Sequence, residues 1–448
     1  MECRYSRSCL LLVAIALAAT PAVGQEDGFD FRGVQRTRYE SLDGQIIPEL
    51  DERDAVLALQ TSLRFEARAE HLSFVGEILD SRAELNDAGS FINNTVVNTL
   101  EPLQAYVAWN ASDRGRENVE RTLRVGRMTL DLGKRRLMSR NRFRNTVNNF
   151  IGADWERRAG DNGNLHAFYF VPMRQLPTDR ASLLDNEFEL DRAARDTAAL
   201  GVFYLLPKLG DGKFLEVYAL DYEAESGNPD SSGDFLSLGA RGFRLPEPGR
   251  WNYEIEFIAQ TGESGATVDG MPRFDLRHRA LFAHFELGYA LDGPWKANIM
   301  FQYDRADGDR DPLDEGNERF NTLFGDRRFD FGPTGIYGPF QRSNLETPGI
   351  RVTVAPTARW QGMLSYRSMR LASSTDAWVG TGLRDPSGAA GSSLGEQFEV
   401  SAGWVVIPGR LSLDMGFTAL NLGRFARETL GPTQRDPRYW YAAITTSF

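Results

Sequence analysis

Residues 438–448 read R-Y-W-Y-A-A-I-T-T-S-F, with Trp440, Ala442, Ile444, Thr446 and Phe448 on alternate positions. Successive side chains of a strand point to opposite faces, so these five share one face. The stretch predicts an extended strand with one oily side.

The same alternation recurs upstream, now with charges opposite the oily face. Leu57, Leu59, Thr61, Leu63, Phe65 and Ala67 alternate with Ala58, Gln60, Ser62, Arg64, Glu66 and Arg68. Tyr253, Ile255, Phe257 and Ala259 alternate with Glu254, Glu256 and Gln260, and Ile258 breaks the pattern once. Ala297, Ile299, Phe301 and Tyr303 alternate with Lys296, Asn298, Met300, Gln302 and Asp304. Leu411, Leu413, Met415, Phe417 and Ala419 alternate with Ser412, Asp414, Gly416 and Thr418. Charges on the hidden side of a dry core would be costly. Facing a water-filled lumen, they are not.

The amino terminus has the layout of an export signal. Arg4 and Arg7 precede an apolar run from Leu10 to Ala19, and Ala22-Val23-Gly24 is a small-x-small site. That run is too short for a membrane-spanning helix. Cleavage is expected near Gly24, leaving a mature chain from Gln25. Both cysteines, Cys3 and Cys9, lie in the signal, so the mature chain has no disulfide or thiolate metal site. The whole chain carries a formal charge of −11, and removing the signal makes it more acidic. With the acidic balance, this location argues against nucleic acid as a partner.

These features together predict an all-β fold, a transmembrane up-and-down antiparallel β-barrel of about 18 strands spanning 25–448 after a signal peptide at 1–24. The ending on Phe448 resembles the closing strand of bacterial outer-membrane barrels, which the barrel-assembly machinery reads. Outer-membrane lipid and lipopolysaccharide would surround it. Tyr39, Trp109, Trp155, Tyr289, Trp295, Trp404 and Trp440 near strand ends suit an interfacial girdle. Ile47 to Asp54, Pro172 to Thr197 and Ala306 to Leu345 are too long or too polar for turns and are expected as external loops. No globular plug is expected before the first strand, near Phe31 to Tyr39, which favours passive passage.

Charge distribution speaks to the solute. Gly133 to Ala153 contains Lys134, Arg135, Arg136, Arg140, Arg142 and Arg144 and no acid. If extended, Arg140, Arg142 and Arg144 point to one face, about 6.6 Å apart. Such a ladder facing lipid would be expensive, so it faces the lumen or the rim. Guanidinium groups give two-pronged hydrogen bonds to carboxylates or phosphates. Leu123 and Val125 share one parity, whereas Met128, Leu130 and Leu132 take the other. A bulge at Gly126 is expected to restore the register and turn Arg127 and Asp131 inward. Arg64, Arg68, Arg241, Arg351 and Arg367 have inward parity on other strands, as do Glu66, Glu254, Glu256 and Asp414. Opposed basic and acidic walls would orient a polyanion without trapping it.

Val125-Gly126-Arg127, Gly133, Arg136-Leu137, Arg144-Asn145 and Phe150 resemble the G-R-Q…G…R-L…W-x-N…F-D-G segment of alginate-export outer-membrane proteins. Phe320-Asn321-Thr322-Leu323-Phe324, Gly332 and Asn344-Leu345 are similar to that family's F-D-P-L-F…G…N-L loop, and Asp307-Gly308-Asp309 to its S-G-D. Met128, Phe150-Ile151-Gly152 and Arg142-Phe143-Arg144 depart from the pattern, which bears on the polymer more than on the architecture. The resemblance runs from Phe31 to Phe448. It implies an eighteen-stranded barrel whose arginine-rich constriction passes an anionic uronate polymer outward.

Other chemistry finds less support. Asp307, Asp309, Asp311 and Glu318 match positions 1, 3, 5 and 12 of a calcium loop, but position 6 is Pro312. His284 and Glu286 share a strand face, so a barrel hydrolase using His284 or His71 is conceivable. No nucleophile elbow, phosphate loop or metal-type His/Cys spacing is present. No cofactor is expected, and no enzymatic activity. The expected function is a passive channel for anionic polysaccharide through an arginine-rich pore. The alternatives are an uptake porin for small carboxylates and, behind it, the hydrolase. Amino-terminal sequencing of the exported protein should begin at Gln25; a chain retaining Leu10 to Ala19 would refute the cleavage.

Overall fold

The computed structural model describes residues 28–448 apart from 114–118, 269 and 432. The expected cleavage site near Gly24 lies outside the described residues. Eighteen strands form the wall. The first six are Phe29–Asp43 (β1), Arg53–Ala69 (β2), Leu72–Glu84 (β3), Asn98–Asp113 (β4), Val119–Met128 (β5) and Phe150–Arg158 (β6). Next come Asn164–Arg174 (β7), Thr197–Leu205 (β8), Lys213–Ala224 (β9), Gly233–Arg244 (β10), Arg250–Val268 (β11) and Met271–Ala290 (β12). The last six are Asn298–Ala306 (β13), Leu345–Thr357 (β14), Trp360–Arg370 (β15), Ser393–Ile407 (β16), Leu411–Leu422 (β17) and Arg438–Ser447 (β18). Each pairs antiparallel with the next, and β18 pairs back onto β1, Val34 opposite Ser447 and Asp43 opposite Arg438. Closure removes every sheet edge, which hydrocarbon requires because it cannot hydrogen-bond a free backbone group. Two-residue ladders at Arg192–Ala193 and Gly316–Asn317 lie within loops.

Period-2 alternation sets the two faces. Val107, Trp109, Leu200, Val202, Phe257, Phe301, Ile350 and Ile444 are exposed to the surroundings. Their strand neighbours are charged or polar and turn inward: Glu77, Gln104, Glu254, Glu256, Gln302 and Arg367 are all buried. Rings pair along the outside where the girdle was expected, Tyr39 with Trp440 at 5.0 Å and Trp360 stacked on Trp404 at 5.0 Å. Trp251 and Tyr289 pair likewise at 5.2 Å.

Apart from the short connection between β11 and β12, short turns and both termini of the wall gather at one end, and the long connections at the other. The three expected external loops appear at 44–52, 175–196 and 307–344. Residues 129–149, 371–392 and 423–437 are further long connections on the same side. The last carries a helix, Arg424–Leu430 (α3), after two short ones, Arg180–Leu184 (α1) and Arg328–Phe331 (α2). No helix among the described residues is long and apolar enough to cross a membrane. Strands make the crossing.

Two expectations about register need correction. No bulge forms at Gly126: β5 pairs with β4 and β6 without a shift, although Gly126 sits at φ 133°. Met128 faces inward and is buried against Phe150 and other rings, which is why the apolar parity switches there. Arg127 therefore sits in the outward register, opposite Ala105 and Ile151, and bends over the strand end to Glu101 and Asp191. The second correction concerns Arg140, Arg142 and Arg144. Residues 129–149 form an infolded loop rather than a strand, turned by positive φ at Arg135 (65°) and Asn141 (58°).

Closure of the wall depends on Gly33. Its N–H donates to the Phe448 carbonyl at 2.7 Å, and the Phe448 N–H donates back at 2.9 Å. The Phe448 ring lies over Gly33, where a Cβ would collide with it. An aromatic ring covering a neighbouring glycine pins a cross-strand register. Gly33→Val should displace the ring and destabilise the barrel by about 1–3 kcal/mol, read as a lower urea midpoint for the loss of the heat-modifiable folded form. An unchanged midpoint would remove Phe448 from the closure.

Candidate pore constriction

Two loops fold into the lumen and clasp each other. The Phe324 N–H donates to the Leu137 carbonyl at 3.0 Å and the Asp326 N–H to that of Arg135 at 2.8 Å. Arg342 Nη1 donates to the Arg136 carbonyl at 3.0 Å. The loop 129–149 is also fastened to the wall. Asn145 Nδ2 donates to the carbonyls of Leu59, Arg82 and Val96 at 3.1, 3.0 and 2.8 Å. Arg36 on β1 donates to the carbonyls of Arg142 and Arg144 at 2.7 and 2.6 Å, and Arg38 donates to that of Phe143. These guanidiniums satisfy loop carbonyls that would otherwise be orphaned inside the barrel.

Arg136 is the hub. It is fully buried, its Nε donates to Asp330 Oδ2 at 3.0 Å and its Nη1 to Glu254 Oε1 at 2.7 Å, and Glu256 is a third carboxylate partner. Asp330 opens onto a second cation, Arg342, at 2.5 Å. Burial raises the Asp330 carboxyl, but Arg136 and then Arg342 outweigh it and hold it well below the usual carboxylate range. The sign is that of a depressed acid: its contribution is present above about pH 4 and lost only as pH falls through the low folded value.

The other residues expected inside the lumen sort into pairs. Arg64 and Arg68 both hold Glu66, at 2.8 and 2.6 Å. Arg241 reaches Glu216 at 3.0 Å and Glu254 at 3.4 Å. Arg367 reaches Asp304 at 2.8 Å and Gln302 at 2.9 Å. Arg140 binds Glu77 at 2.6 Å, and Arg142 binds Asp131 at 2.5 Å. Asp131 is thus a fastener within the loop rather than a wall charge. Among the described residues Arg351 donates only to the Asp330 carbonyl, at 3.4 Å.

Among the described residues, neither alternative set of side chains is brought together. Asp307, Asp309, Asp311 and Glu318 do not converge: Asp307 accepts from the Leu281 N–H at 3.0 Å, while Glu318 faces Arg310 at 3.5 Å. Asp309 lies buried against Asp376, and burial followed by that charge pushes its carboxyl up to about 6. Among the described residues, one trio of metal-capable side chains converges: His284, Asp304 and Asp330. Three arginines already neutralise its two carboxylates, so it fits no cation. His284 is sealed from solvent between Asp304 at 2.7 Å and Glu254 at 3.8 Å, and His71 meets the Asn110 carbonyl at 3.1 Å.

The clasped loops leave the lumen open on one side only. Phe168, Phe170, Phe203, Tyr218, Phe235, Ile258, Phe282 and Phe320 fill the half between the loops and β6–β12 with apolar side chains. Along β1 and β14–β18 there remains a chamber of about 580 Å³ at the end of the short turns. It is lined by Arg36, Arg38, Arg135, Arg142, Arg328 and Lys296 against two acids, Asp326 and Asp414. Arg38 is neutralised by Glu40 and Arg328 by Glu399, each at 2.7 Å. Among the described residues Arg36, Arg135 and Lys296 have no carboxylate within 4 Å, nor do Arg144 and Arg327 on the loops above or Arg351 on the wall. Burial lowers Arg144, and burial followed by the Arg144 charge pushes Arg327 down to about 9, which leaves Arg327 charged at neutral pH.

The family model described as alginate export matches residues 28–438. The chain belongs to the alginate export family. Solved structures with a similar fold include OccAB1 and OccAB2 of Acinetobacter baumannii, each 13% identical, at TM-scores of 0.59 and 0.58. Their matches cover 94% of this chain and 96% and 98% of theirs. Pseudomonas aeruginosa OpdK with vanillate is 12% identical at a TM-score of 0.56, covering 94% of this chain and 98% of its own. No curated protein matches the chain significantly. This alginate-export-family chain is therefore an outer-membrane β-barrel.

Sequence reading alone passes over Arg36, Arg38, Arg327, Arg328, Asp330 and Arg342. The R-T-R of Arg36 to Arg38 carried a usable signal, two cations of inward parity on the first strand. Asp330 had none, because its partners lie 194 and 12 residues away. Asp330→Ala should strand Arg136 and Arg342 without their carboxylate and cost about 3–5 kcal/mol. The checks are a lower urea midpoint and noisier open-channel current; a quiet channel of wild-type stability would show that the loops are held elsewhere.

Proposed function

We propose that this chain is a passive outer-membrane channel for anionic carbohydrate, a uronate polymer of the alginate type, moving outward past the unneutralised guanidiniums of the constriction. The observation that carries this reading is the cation excess around the chamber. Among the described residues Arg36, Arg135, Arg144, Arg327 and Lys296 lack an acid partner, in a lumen where most arginines have one. A carboxylate entering there exchanges water for planar donors. Nearby acids such as Asp326 and Asp414 keep the well shallow.

A second reading, an uptake channel for small carboxylates, draws on the chamber's size. A one-sided space of about 580 Å³ matches a site for a single small molecule, and one fold neighbour was solved with vanillate. Single-channel recording separates the two. Oligouronates added to the chamber side should block in resolved events, and monomeric aromatic or aliphatic acids should block weakly; the reverse order would favour the second reading. In a salt gradient the reversal potential should report anion preference. Arg135→Ala, Arg144→Ala and Arg327→Ala together should lower the anion-to-cation permeability ratio by at least about twofold at low salt, the difference shrinking at high salt. A cation-preferring wild type would end the proposal.

A further inference from the structure

The outer surface carries a group of arginines, two of them without an acid partner, that no lumen function requires. On β12 the outward residues run Leu287, Phe285, Ala283, Leu281, then Arg279 and Arg277 toward the loop end, with Leu281 44% exposed. On β13 they run Ile299, Phe301, Tyr303, then Arg305. On β15 Leu364, Tyr366 and Ser368 lead to Arg370. In each case the arginine follows the apolar outward band, where hydrocarbon gives way to headgroups. Register ties them together: Arg305 lies opposite Glu346 on β14, which lies opposite Arg370. Arg305 pairs with Glu346 at 2.8 Å and faces Asp307 at 3.5 Å. Glu396 nearby accepts from Ser368 at 3.0 Å. Arg279 and Arg370 are exposed and have no carboxylate within 4 Å among the described residues.

The rest of the external rim differs. Asp80 and Arg82 on β3 neutralise each other at 2.9 Å. Across β9, β10 and β11 the outward residues Glu223, Asp234 and Glu263 stand in register, an acidic wall. Arg277 faces that wall through Glu263 and belongs to its edge. Among the described residues of the external rim, outward strand cations without an acid partner are thus confined to β12–β15. Arg279 lies four residues along the strand from the level of Arg305, about 14 Å, and Arg370 two strands away, about 10 Å. Arg279 and Arg370 are thus three strands and four residues apart, about 20 Å at the backbone, a spread that fits separate phosphates of one headgroup rather than a single ion.

We propose that Arg279, Arg305 and Arg370 form a docking site for the phosphorylated headgroup of an outer-leaflet glycolipid, which seats its acyl chains on the apolar faces of β12–β15. Charge complementarity and position just beyond the lipid band carry the assignment. Arg279 and Arg370 are free to take phosphate oxygens in two-pronged contacts, and Arg305 is held in place by Glu346.

The test uses the full mature protein in detergent, titrated with lipid A and followed by native mass spectrometry. Wild type should retain a lipid A adduct, and Arg279→Ala/Arg370→Ala should bind at least tenfold more weakly with unchanged single-channel conductance. Arg82→Ala, a neutralised outward arginine, should bind as wild type. Dephosphorylated lipid A should bind wild type no better than phosphorylated lipid A binds the double variant, and millimolar inorganic phosphate should not displace the glycolipid. Equal affinity of wild type and double variant, or displacement by free phosphate, would overturn the assignment. If the double variant does not fold, equal binding of phosphorylated and dephosphorylated lipid A to wild type would overturn it as well.

Discussion

The contact of Arg136 with Asp330, Glu254 and Glu256 decides where open space survives inside this barrel. Eighteen strands enclose more volume than side chains alone fill, and two infolded loops occupy the difference. Those loops are polar and would stay outside unless their charges found partners within. Arg136 joins one loop to the wall through Glu254 and Glu256 and to the other loop through Asp330. Once that knot is tied, the rings from Phe168 to Phe320 pack behind it. The chamber along β1 and β14–β18 is what remains.

Such a knot is a poor source of net stability, because two opposed buried charges roughly break even with an apolar filling. Its effect is on position. An apolar filling would let the loops slide, whereas a guanidinium held by three carboxylates admits one arrangement. The Asn145 side chain adds to this by closing three carbonyls, two on β2 and β3 of the wall and one on the connection that follows β3. Cation and carboxylate specify, and the packed rings supply adhesion.

The wall was legible in the sequence because two solvents impose it. Lipid outside and water inside force a period of two, and Leu57 to Arg68 or Ala297 to Asp304 show it residue by residue. Where the inside is not water the rule misleads. Met128 and Ile258 face inward onto packed rings, so an apolar residue at inward parity passed for a bulge at Gly126 and for a break in the strand. Arg140, Arg142 and Arg144 have strand spacing, but a loop bent at Arg135 and Asn141 sends them to different partners. The cluster's charge was legible; its shape was not. The shape comes from contacts such as Arg136 with Asp330, which no local window contains.

The division between neutralised and bare arginines gives the lumen its character. A fully paired lumen would present alternating charges that cancel within a few ångströms and select weakly. A fully unpaired one would hold a polyanion too tightly to release it, since each guanidinium–carboxylate contact in a partly desolvated bore is strong. Here Arg38, Arg142 and Arg328 are already answered by Glu40, Asp131 and Glu399, while Arg36, Arg135, Arg144 and Arg327 are not. In the proposed passage a carboxylate would meet unneutralised cations one after another, and at each it would compete with water and with neighbouring acids rather than settle. On the proposed function, that spacing of unneutralised cations within a frame of paired ones would let one surface both attract an anion and let it go.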